Sequence, residues 1–314
     1  MTRKYHPEML PVGLLTLIFL IAGLLPVDEG FVYLVALIMI WSIFALGYDI
    51  SFGLAGMLSF GHAAFFGIGA YAAAWAMLDG GWPFSLALVA ATLAGAALAL
   101  LFGLVGRRVS GLYFSLMTLM LAELIAIVMT TRLRRLSGGV DGLPGVPRPV
   151  LGEVDFFSNH NFYWVIYVAF IGTLIFCAIF KHSPLGQALQ GLRQNPVRAE
   201  QIGFDIAGLR LTALAVSGGF SGLAGAYLAS LMMYVGPQML NWKISGDVVI
   251  MTLLGGSGTL IGPVIGVTLV ELLREGLSAT TQYWYGVLGV IFILCTIFLP
   301  QGLAGLGRQL WRRK

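Results

Sequence analysis

The sequence predicts an all-α polytopic membrane protein with about 8–10 transmembrane helices and one discontinuous or re-entrant Gly-rich element. Of its 314 residues, 58% are hydrophobic and only 10% are charged, and the mean hydropathy is +0.90. Because a soluble domain usually has about 25% charged residues, this chain has too few charges to cover a soluble globule. Soluble enzymes, disordered scaffolds and nucleic-acid-binding proteins are therefore excluded. The formal net charge of +4 is interpreted as Lys/Arg anchoring at a membrane face.

Apolar runs recur along the whole chain. A helix needs about 20 residues to cross a hydrocarbon core of roughly 30 Å, and many of the runs approach or exceed this length. No stretch resembles an appended soluble domain, so residues 1–314 are predicted to form a single transmembrane domain. The runs lie at 9–25, 31–48, 53–78, 84–105, 112–130, 162–180, 209–233, 246–273 and 283–299.

Basic residues predict how these runs are oriented. Arg3 and Lys4 precede the first run, and no cleavage site follows it, so we expect an uncleaved first helix with a cytoplasmic N-terminus. The Lys/Arg rule then makes 131–161 an external loop and 181–208 a cytoplasmic loop. The arginines of the loop 131–161 contradict the rule locally.

The C-terminus raises a parity problem. Its basic residues, among them Arg312 and Lys314, predict a cytoplasmic location, but nine simple crossings would end outside. The run 246–273 is long and is interrupted by Gly255-Gly256-Ser257-Gly258. Two half-helices meeting there could re-enter or span separately, since non-helical backbone is tolerated where protein buries it or it lines a cavity. A miscounted crossing elsewhere is the alternative.

Several kinds of chemistry are missing from the sequence. None of its four lysines follows a glycine, so the chain has no P-loop of its own, and ATP would have to act through another subunit. Cys177 and Cys295 lie in apolar runs and predict no disulfide framework. No spacing of His, Cys, Asp and Glu indicates a metal site, and no catalytic residue is assigned.

Intramembrane serine proteases use a serine in a Gly-rich helix, and the chain has such a stretch at Gly218-Gly219-Phe220-Ser221-Gly222. A nucleophilic serine needs a base, and His62 could reach Ser221 only through an unusual topology. Small residues at this spacing are typical of close helix packing, which is the interpretation we prefer.

Three polar residues within or beside apolar runs need a reason to be there. Glu123 lies near the middle of 112–130, where an ionisable group indicates a functional site or an interhelical clamp, for instance with Ser115. His62 lies in a segment where the small residues Gly56, Gly67 and Ala70 recur at near-helical spacing and predict one close-packing helix face. It is either a packing group on that face or a translocation contact. Asp49 ends the second run and is interpreted as a solvated or helix-capping carboxylate.

Residues 183–203 predict a compact basic element between two runs. Ser183-Pro184 is a good helix start, Pro196 interrupts the pattern, and a second short helix is expected to end at Gly203. Such an element is suited to docking a soluble partner or to lying on lipid headgroups.

Five segments in order resemble the LivM-type permease subunits of ABC importers for branched-chain amino acids, over nearly the whole chain. The order matters because each motif alone is weak. The segments are Leu58–Tyr71, Gly111–Phe114 with Thr118-Leu119 and Glu123, Ser137–Leu143, 183–203, and Leu254–Thr259 leading to Gly262-Pro263.

The resemblance implies a multi-pass permease of the bacterial inner membrane that works by alternating access without covalent chemistry. It implies a second, LivH-like permease chain, two cytoplasmic ATPase subunits that hold ATP and Mg, and a periplasmic solute-binding protein. The cargo would be branched-chain amino acids or related small solutes, although relatives also carry urea, short amides or aromatic acids. A secondary transporter is the less favoured alternative, and the sequence leaves the solute open.

The resemblance also assigns roles to residues. Ala126 replaces a basic residue that often follows the glutamate in this family, so Glu123 lacks its expected neighbour. The loop 137–143 would face the binding protein through Gly138, Gly139, Asp141 and Gly142, or would merely close two helices. The ATPase-coupling loop would use Gly186, Arg193, Arg198, Ala199, Glu200 and Gly203. Candidates for the translocation pathway are Ser59, His62, Glu123, Gly255, Gly256 and Ser257.

Overall fold

The computed structural model describes residues 9–25, 28–149, 156–278, 283–298 and 302–305. In this part of the chain almost all regular structure is helical. A π-helical turn, Ile50–Leu54, extends α2, and a 3-10 turn, Pro237–Leu240, precedes α11. The helices are α1 (Met9–Leu24), α2 (Glu29–Asp49), α3 (His62–Leu78), α4 (Phe84–Val105), α5 (Leu112–Thr131), α6 (Arg134–Ser137), α7 (Asn159–His182), α8 (Pro184–Gln194), α9 (Pro196–Gln201), α10 (Ile206–Met232), α11 (Trp242–Gly255), α12 (Gly262–Ser278) and α13 (Trp284–Phe298).

Five helical segments are long and apolar enough to cross a membrane, and α3 and most of α1 are shorter apolar helices. The predicted all-α polytopic membrane fold is therefore confirmed. The strands β1 (Leu143–Pro144) and β2 (Tyr234–Val235) form one short antiparallel pair. The five segments are Glu29–Leu54, Phe84–Val105, Leu112–Thr131, Asn159–His182 and Ile206–Met232.

The run 53–78 was predicted to hold one span, and its helix, α3, is shorter than the run. After the π-helical turn, residues 55–61 leave the helix, and α3 starts only at His62. We call residues 55–61 the first helix break. Its backbone groups find partners on α5: Ser115 donates to the Leu58 carbonyl at 2.8 Å, and the Phe60 N–H donates to Thr118 at 3.1 Å. Side-chain partners of this kind let non-helical backbone persist at membrane depth.

The run 246–273 divides into two half-helices, α11 and α12, as one of the two predicted alternatives had it. The intervening residues 256–261 form the second helix break. The half-helices run side by side in opposite directions, because Asp247 near the start of α11 contacts Arg274 near the end of α12. α11 has 14 residues and is therefore about 21 Å long at 1.5 Å per residue. The segment 233–241 precedes it.

The half-helices lie close because their facing residues are small. A Cβ on Gly255 would overlap the Gly262 backbone, and one on Gly266 would overlap the Met251 carbonyl. The structure thus has two discontinuous elements, where the sequence predicted one.

Contacts assign the helix ends to two faces of the bundle. On the face that carries α8, Arg193 contacts both helix breaks, and Gly302 lies against Gly256. We call this the α8 face. On the opposite face, which we call the loop face, the Trp75 indole donates to the Leu136 carbonyl.

The ends of the described chain share the α8 face. α1 runs antiparallel to α7, since Tyr163 donates to Phe19 while the later Tyr167 donates to the earlier Thr16. The start of α1 and residues 302–305 therefore both point to the α8 face, in the arrangement that the parity argument required. The basic residues on which that argument depends lie in 1–8 and 306–314, outside the described residues.

The core is built around α10, which packs on α4 and α3. A Cβ on Gly218 would collide with Ala99, and one on Gly222 with the Ala91 carbonyl. The predicted close packing of this glycine series is confirmed. Gly56, grouped with Gly67 and Ala70 on one helix face from the sequence, instead lies in the first helix break with φ +72°.

Candidate functional site

The two helix breaks meet at the α8 face, where Asp49 joins them. Its carboxylate accepts the Gly258 N–H at 2.8 Å and 3.0 Å through its two oxygens. Only 6% of Asp49 is exposed, so the prediction of a solvated or helix-capping residue is wrong. The reason is the π-helical turn Ile50–Leu54, which continues the helix past Asp49 and turns the carboxylate toward the second break.

Arg193, at the end of α8, lies against Gly56 of the first break and reaches Ser257 of the second break. One guanidinium nitrogen donates to the Gly53 carbonyl, and another reaches the Ser257 hydroxyl at 3.5 Å. The backbone geometry beside it suits glycine, with φ of +77° at Gly258 and +113° at Gly256. One side chain of the predicted coupling loop thus connects to the end of α2 and to the turn between α11 and α12.

His62 lies at the start of α3 in a fully buried polar cluster. Its Nε2 is 2.8 Å from the Ser217 hydroxyl of α10 and 3.3 Å from the Ser51 hydroxyl of the π-helical turn. The sequence-based prediction concerned only Ser221, and the serine of this helix that His62 contacts is Ser217. Ser221, one turn later, donates to the Ser217 carbonyl.

The His62–Ser217 pair does not have the arrangement of a nucleophile and its base. Within the described residues, no group orients the ring, because Nδ1 of His62 has no hydrogen-bond partner. Both side chains are also fully buried, whereas a nucleophile must meet its substrate. We interpret the pair as a polar link that joins the first helix break to α10.

The remaining predicted pathway residues of the breaks are structural neighbours of these contacts. Ser59 is fully buried and accepts the Gly61 N–H at 3.1 Å, just before α3 begins. Ser245 of α11 accepts the Ala63 N–H at 2.8 Å. The structure therefore brings Ser59 and His62 to one break and Gly255, Gly256 and Ser257 to the other.

Glu123 lies apart from the breaks, in the middle of α5. Its Oε1 is buried and has no hydrogen-bond partner among the described residues. The predicted clamp with Ser115 is wrong, since Ser115 donates to Leu58 instead. Beside Glu123 runs an exposed apolar face of α5 that includes Met120 and Leu124.

A partly buried ion network in the half-helices is a feature that sequence reasoning missed. Arg274 of α12 contacts Asp247 of α11 at 2.9 Å and Glu271 at 3.1 Å. Its guanidinium also lies 5.9 Å from the ring centroid of Trp41. The i, i+3 spacing of Glu271 and Arg274 inside an apolar run was the signal that could have found it. The network ties α11 to α12 and both to α2.

Residues 183–203, the predicted coupling loop, fold as two short helices, as expected from the sequence. The Ser183 hydroxyl caps α8 by accepting the Gly186 N–H, and Asn195 caps α9 by accepting the Arg198 N–H. α9 ends before Gly203, whose φ is +93°.

The small residues of this loop are buried and its charged residues are exposed. A Cβ on Gly186 would collide with the Phe180 carbonyl, and Ala199 is 4% exposed. Arg198, Glu200 and Gly203 are exposed. These three lie on the surface of the α8 face, where a partner could contact them.

The loop 137–143 is a compact turn on the loop face. Gly138, Gly139 and Gly142 all have positive φ, which favours glycine. Tyr234 donates to the Asp141 carbonyl at 3.1 Å. Val140 and Asp141 are exposed at its tip, whereas Gly139 and Gly142 are buried. Of the four predicted contact residues, only Asp141 offers an exposed side chain.

Arg148, which follows this turn, anchors the segment before α7 to the end of α10, and this role was not predicted from the sequence. It is 6% exposed and donates to the carbonyls of Phe157 at 2.6 Å and Leu231 at 2.9 Å and to Asn159 at 2.9 Å. Burial lowers the pKa of its guanidinium from the ordinary value. Nothing in the sequence distinguishes it from the other loop arginines, because its partners are mostly backbone carbonyls.

Comparisons with known proteins agree with this architecture. The sequence profile described as "Branched-chain amino acid transport system / permease component" matches residues 30–296. The chain is 28% identical to the high-affinity branched-chain amino acid transport system permease protein LivM of Salmonella typhimurium, over 93% of this chain and 74% of that protein. It is 25% identical to the corresponding permease protein LivH of Escherichia coli, over 84% of this chain and 91% of that protein.

A further relative carries a different name. The autoinducer 2 import system permease protein LsrC of Escherichia coli is 28% identical over 56% of this chain and 52% of that protein. No solved structure matches the chain significantly.

Proposed function

The chain belongs to the branched-chain amino acid transport system permease component family, and from this premise we propose that it forms one half of the transmembrane pathway of an ATP-driven importer. The names of LivM and LivH support branched-chain amino acids or related small solutes as the cargo. The name of LsrC supports a family whose members serve more than one solute. Urea, short amides and aromatic acids remain the alternative cargoes.

The proposed complex has several chains. A second, LivH-like permease chain would complete the pathway, two ATPase subunits would bind ATP and Mg, and a solute-binding protein would deliver the cargo. The α8 face would be cytoplasmic and the loop face periplasmic in a bacterial inner membrane. The capped helices α8 and α9 support the first assignment, because they present Arg198 and Glu200 on an ordered surface.

The observation that carries the proposal is the position of Arg193. The side chain extends from the predicted coupling loop and contacts Gly53, in the π-helical turn just before the first helix break, and Ser257 of the second helix break. A displacement of α8 by a bound ATPase would therefore act on both elements through one guanidinium. ATP can bias an inward/outward equilibrium only if such contacts differ between the two states.

The proposed pathway runs along the two helix breaks. Broken membrane helices place non-helical backbone where transporters bind solutes and ions, and in this chain that backbone lies toward the α8 face. Here Asp49 joins the breaks and the His62–Ser51–Ser217 cluster supports the first of them. Glu123 is proposed to face the pathway or the second permease chain from α5, since its buried Oε1 lacks a partner within the described residues.

One observation favours the secondary transporter. The Asp247–Arg274–Glu271 network places paired charges beside a broken helix, an arrangement that marks ion pathways in such proteins. However, Arg274 contacts both carboxylates, so an interhelical clamp accounts for the same geometry.

Co-purification followed by reconstitution tests the proposal. Tagged chain is isolated from native membranes in mild detergent, and associated chains are identified by mass spectrometry. We expect ATPase subunits and a second permease chain, and uptake into proteoliposomes that depends on ATP and on the binding protein. A chain that purifies alone and drives uptake from an ion gradient without ATP would contradict the importer and support the secondary transporter.

A further inference from the structure

A cavity of about 530 Å³ opens at the α8 face beside the first helix break. Its walls come from the break, the turn between α4 and α5, the end of α8, and the first turns of α10. The volume lies within the range of about 300–1,000 Å³ that small-molecule sites occupy. The cavity is separate from the polar contacts that join the two breaks, apart from the shared Arg193.

The charge of the lining is one-sided. Arg107, Arg193 and Arg210 line the cavity, and no aspartate or glutamate is among the lining residues. Arg193 has the break contacts already described. For Arg107 and Arg210, the described part of the chain offers neither an ion pair nor a hydrogen bond to the side chain. Their guanidinium groups are therefore available to an anion, and arginine binds phosphate through two parallel N–H donors.

Exposed apolar residues lie next to the lining residues along the chain on both sides of the cavity, and we call them the apolar rim. On the α4–α5 side, Val105 is 63% exposed and Leu112, which also lines the cavity, is 69% exposed. On the α9–α10 side, Ile202 is 69% exposed and Phe204 is 43% exposed. In a membrane protein such side chains at the edge of the bundle suit acyl chains better than water.

We propose that this cavity binds the phosphate headgroup of an anionic phospholipid. Arg107 and Arg210 would hold the phosphate, and the acyl chains would follow the exposed apolar side chains of α4 and α5. Basic pockets between membrane helices bind anionic headgroups in this way. An ATPase carboxylate could satisfy the same arginines, but it would leave the apolar rim uncovered, so the lipid fits both halves of the site.

Such a lipid would touch the first helix break. Gly56, Met57 and Leu58 of the first break line the same cavity as Arg107 and Arg210. A bound phosphate would therefore lie between the α4–α5 turn and the break that Arg193 contacts. This inference requires only that the chain lies in a membrane, so it stands or fails independently of the proposed cargo and ATPase.

Native mass spectrometry of the purified full chain tests the proposal. The chain in detergent is offered equal amounts of phosphatidylglycerol and phosphatidylcholine, and we expect the wild-type protein to retain phosphatidylglycerol preferentially. The variant Arg107→Gln/Arg210→Gln should weaken that retention about 25-fold, since each arginine near an anionic headgroup contributes roughly fivefold. Arg107→Lys/Arg210→Lys should retain most of the preference, because lysine keeps the charge.

The matched control is Arg108→Gln, which removes a neighbouring exposed arginine that does not line the cavity, and we expect little change. No preference in the wild-type protein would overturn the proposal without any variant. It would also be overturned if Arg108→Gln weakened retention as much as the double variant, or if millimolar inorganic phosphate bound in place of the lipid and removed the preference. Loss of ATPase co-purification with unchanged lipid retention would assign the arginines to the ATPase instead.

Discussion

The carboxylate of Asp49 accepts the backbone N–H of Gly258 through both of its oxygens, across 209 positions of the chain. The bond connects the end of α2 to the turn between α11 and α12, so the second helix break cannot move far from the end of α2. Because Asp49 is buried, water cannot replace it when it is removed. The interaction is thus both a structural anchor and a constraint on how the breaks rearrange.

We expect Asp49→Ala to lower the free energy of unfolding by about 1–3 kcal/mol, because it leaves the Gly258 N–H without its acceptor. Asp49→Asn retains one oxygen acceptor and should cost less. Thermal unfolding of the purified chain in detergent measures both. Asp141→Ala, an exposed carboxylate on the opposite face, is the control. Equal stability of Asp49→Ala and Asp141→Ala would show that the bond contributes nothing.

Replacing Glu123 by an apolar residue should change stability and transport in opposite directions. Its Oε1 is buried without a partner among the described residues, so Glu123→Leu should keep or raise the free energy of unfolding, by about 1 kcal/mol or more. Glu123→Gln should change it less. If Glu123 serves the pathway, uptake in proteoliposomes falls in the Leu variant although the protein is more stable. A marked loss of stability in Glu123→Leu would show that α5 has an unrecognised clamp.

The Asp247–Arg274–Glu271 network should be costly to break from the cationic side. Arg274→Met leaves the buried Glu271 carboxylate and the partly buried Asp247 carboxylate without their common cation, and we expect a loss of about 1–3 kcal/mol. The triple change Asp247→Asn/Glu271→Gln/Arg274→Met should recover most of it. Thermal unfolding is the measurement, and Glu275→Gln on the exposed side of α12 is the control. A triple variant as unstable as Arg274→Met would mean that packing, not charge, is responsible.

Gly142, in the loop 137–143, and Gly145, just after it, allow the cost of backbone strain to be separated from the cost of a steric collision. Gly142 has φ +71°, and a Cβ there would meet the Val235 carbonyl, whereas Gly145 has φ +80° and open space. Both alanine variants should pay about 1–2 kcal/mol for the left-handed backbone. Gly142→Ala should lose more stability, because β2 must also shift. Equal unfolding midpoints for the two variants would show that a Cβ at position 142 does not collide with the Val235 carbonyl.

The sequence predicted the features that depend on local pattern. The apolar runs predicted most of the helices, and Ser183-Pro184 predicted the start of α8. The interruption at Pro196 predicted a second short helix, and the basic residues at both chain ends predicted a broken element at 246–273. The helices and their starts each depend on residues within the segment itself. The close packing of α10 was likewise readable from its small residues.

Long-range polar contacts were not predictable in the same way. The first helix break at 55–61 depends on Ser115 and Thr118 of α5, which supply partners to its backbone. Asp49 and Arg148 similarly owe their burial to backbone groups far along the chain. A carboxylate at a helix end and an arginine in a loop are usually solvated, so only the tertiary structure distinguishes these two. Hydropathy alone could not separate a broken helix from a continuous one.

Arg193 provides the sharpest test of coupling. Arg193→Gln removes a charge-assisted bond to the Gly53 carbonyl and the contact with Ser257. If these contacts transmit ATPase movement, loss of about 1.5–3 kcal/mol of charged hydrogen bonding should reduce ATP-dependent uptake at least about tenfold. Co-purification of the ATPase should persist, because Arg198 and Glu200 remain on the surface.

The matched control for Arg193 is Gln194→Ala, the exposed neighbour at the end of α8, which should leave uptake unchanged. ATP hydrolysis measured in the same proteoliposomes separates two ways of failing. Hydrolysis that continues while uptake falls would place the defect between α8 and the helix breaks, as the contacts of Arg193 predict. Hydrolysis and ATPase binding that fall together with uptake would instead make Arg193 a docking residue, and full uptake in Arg193→Gln would remove it from the coupling route altogether.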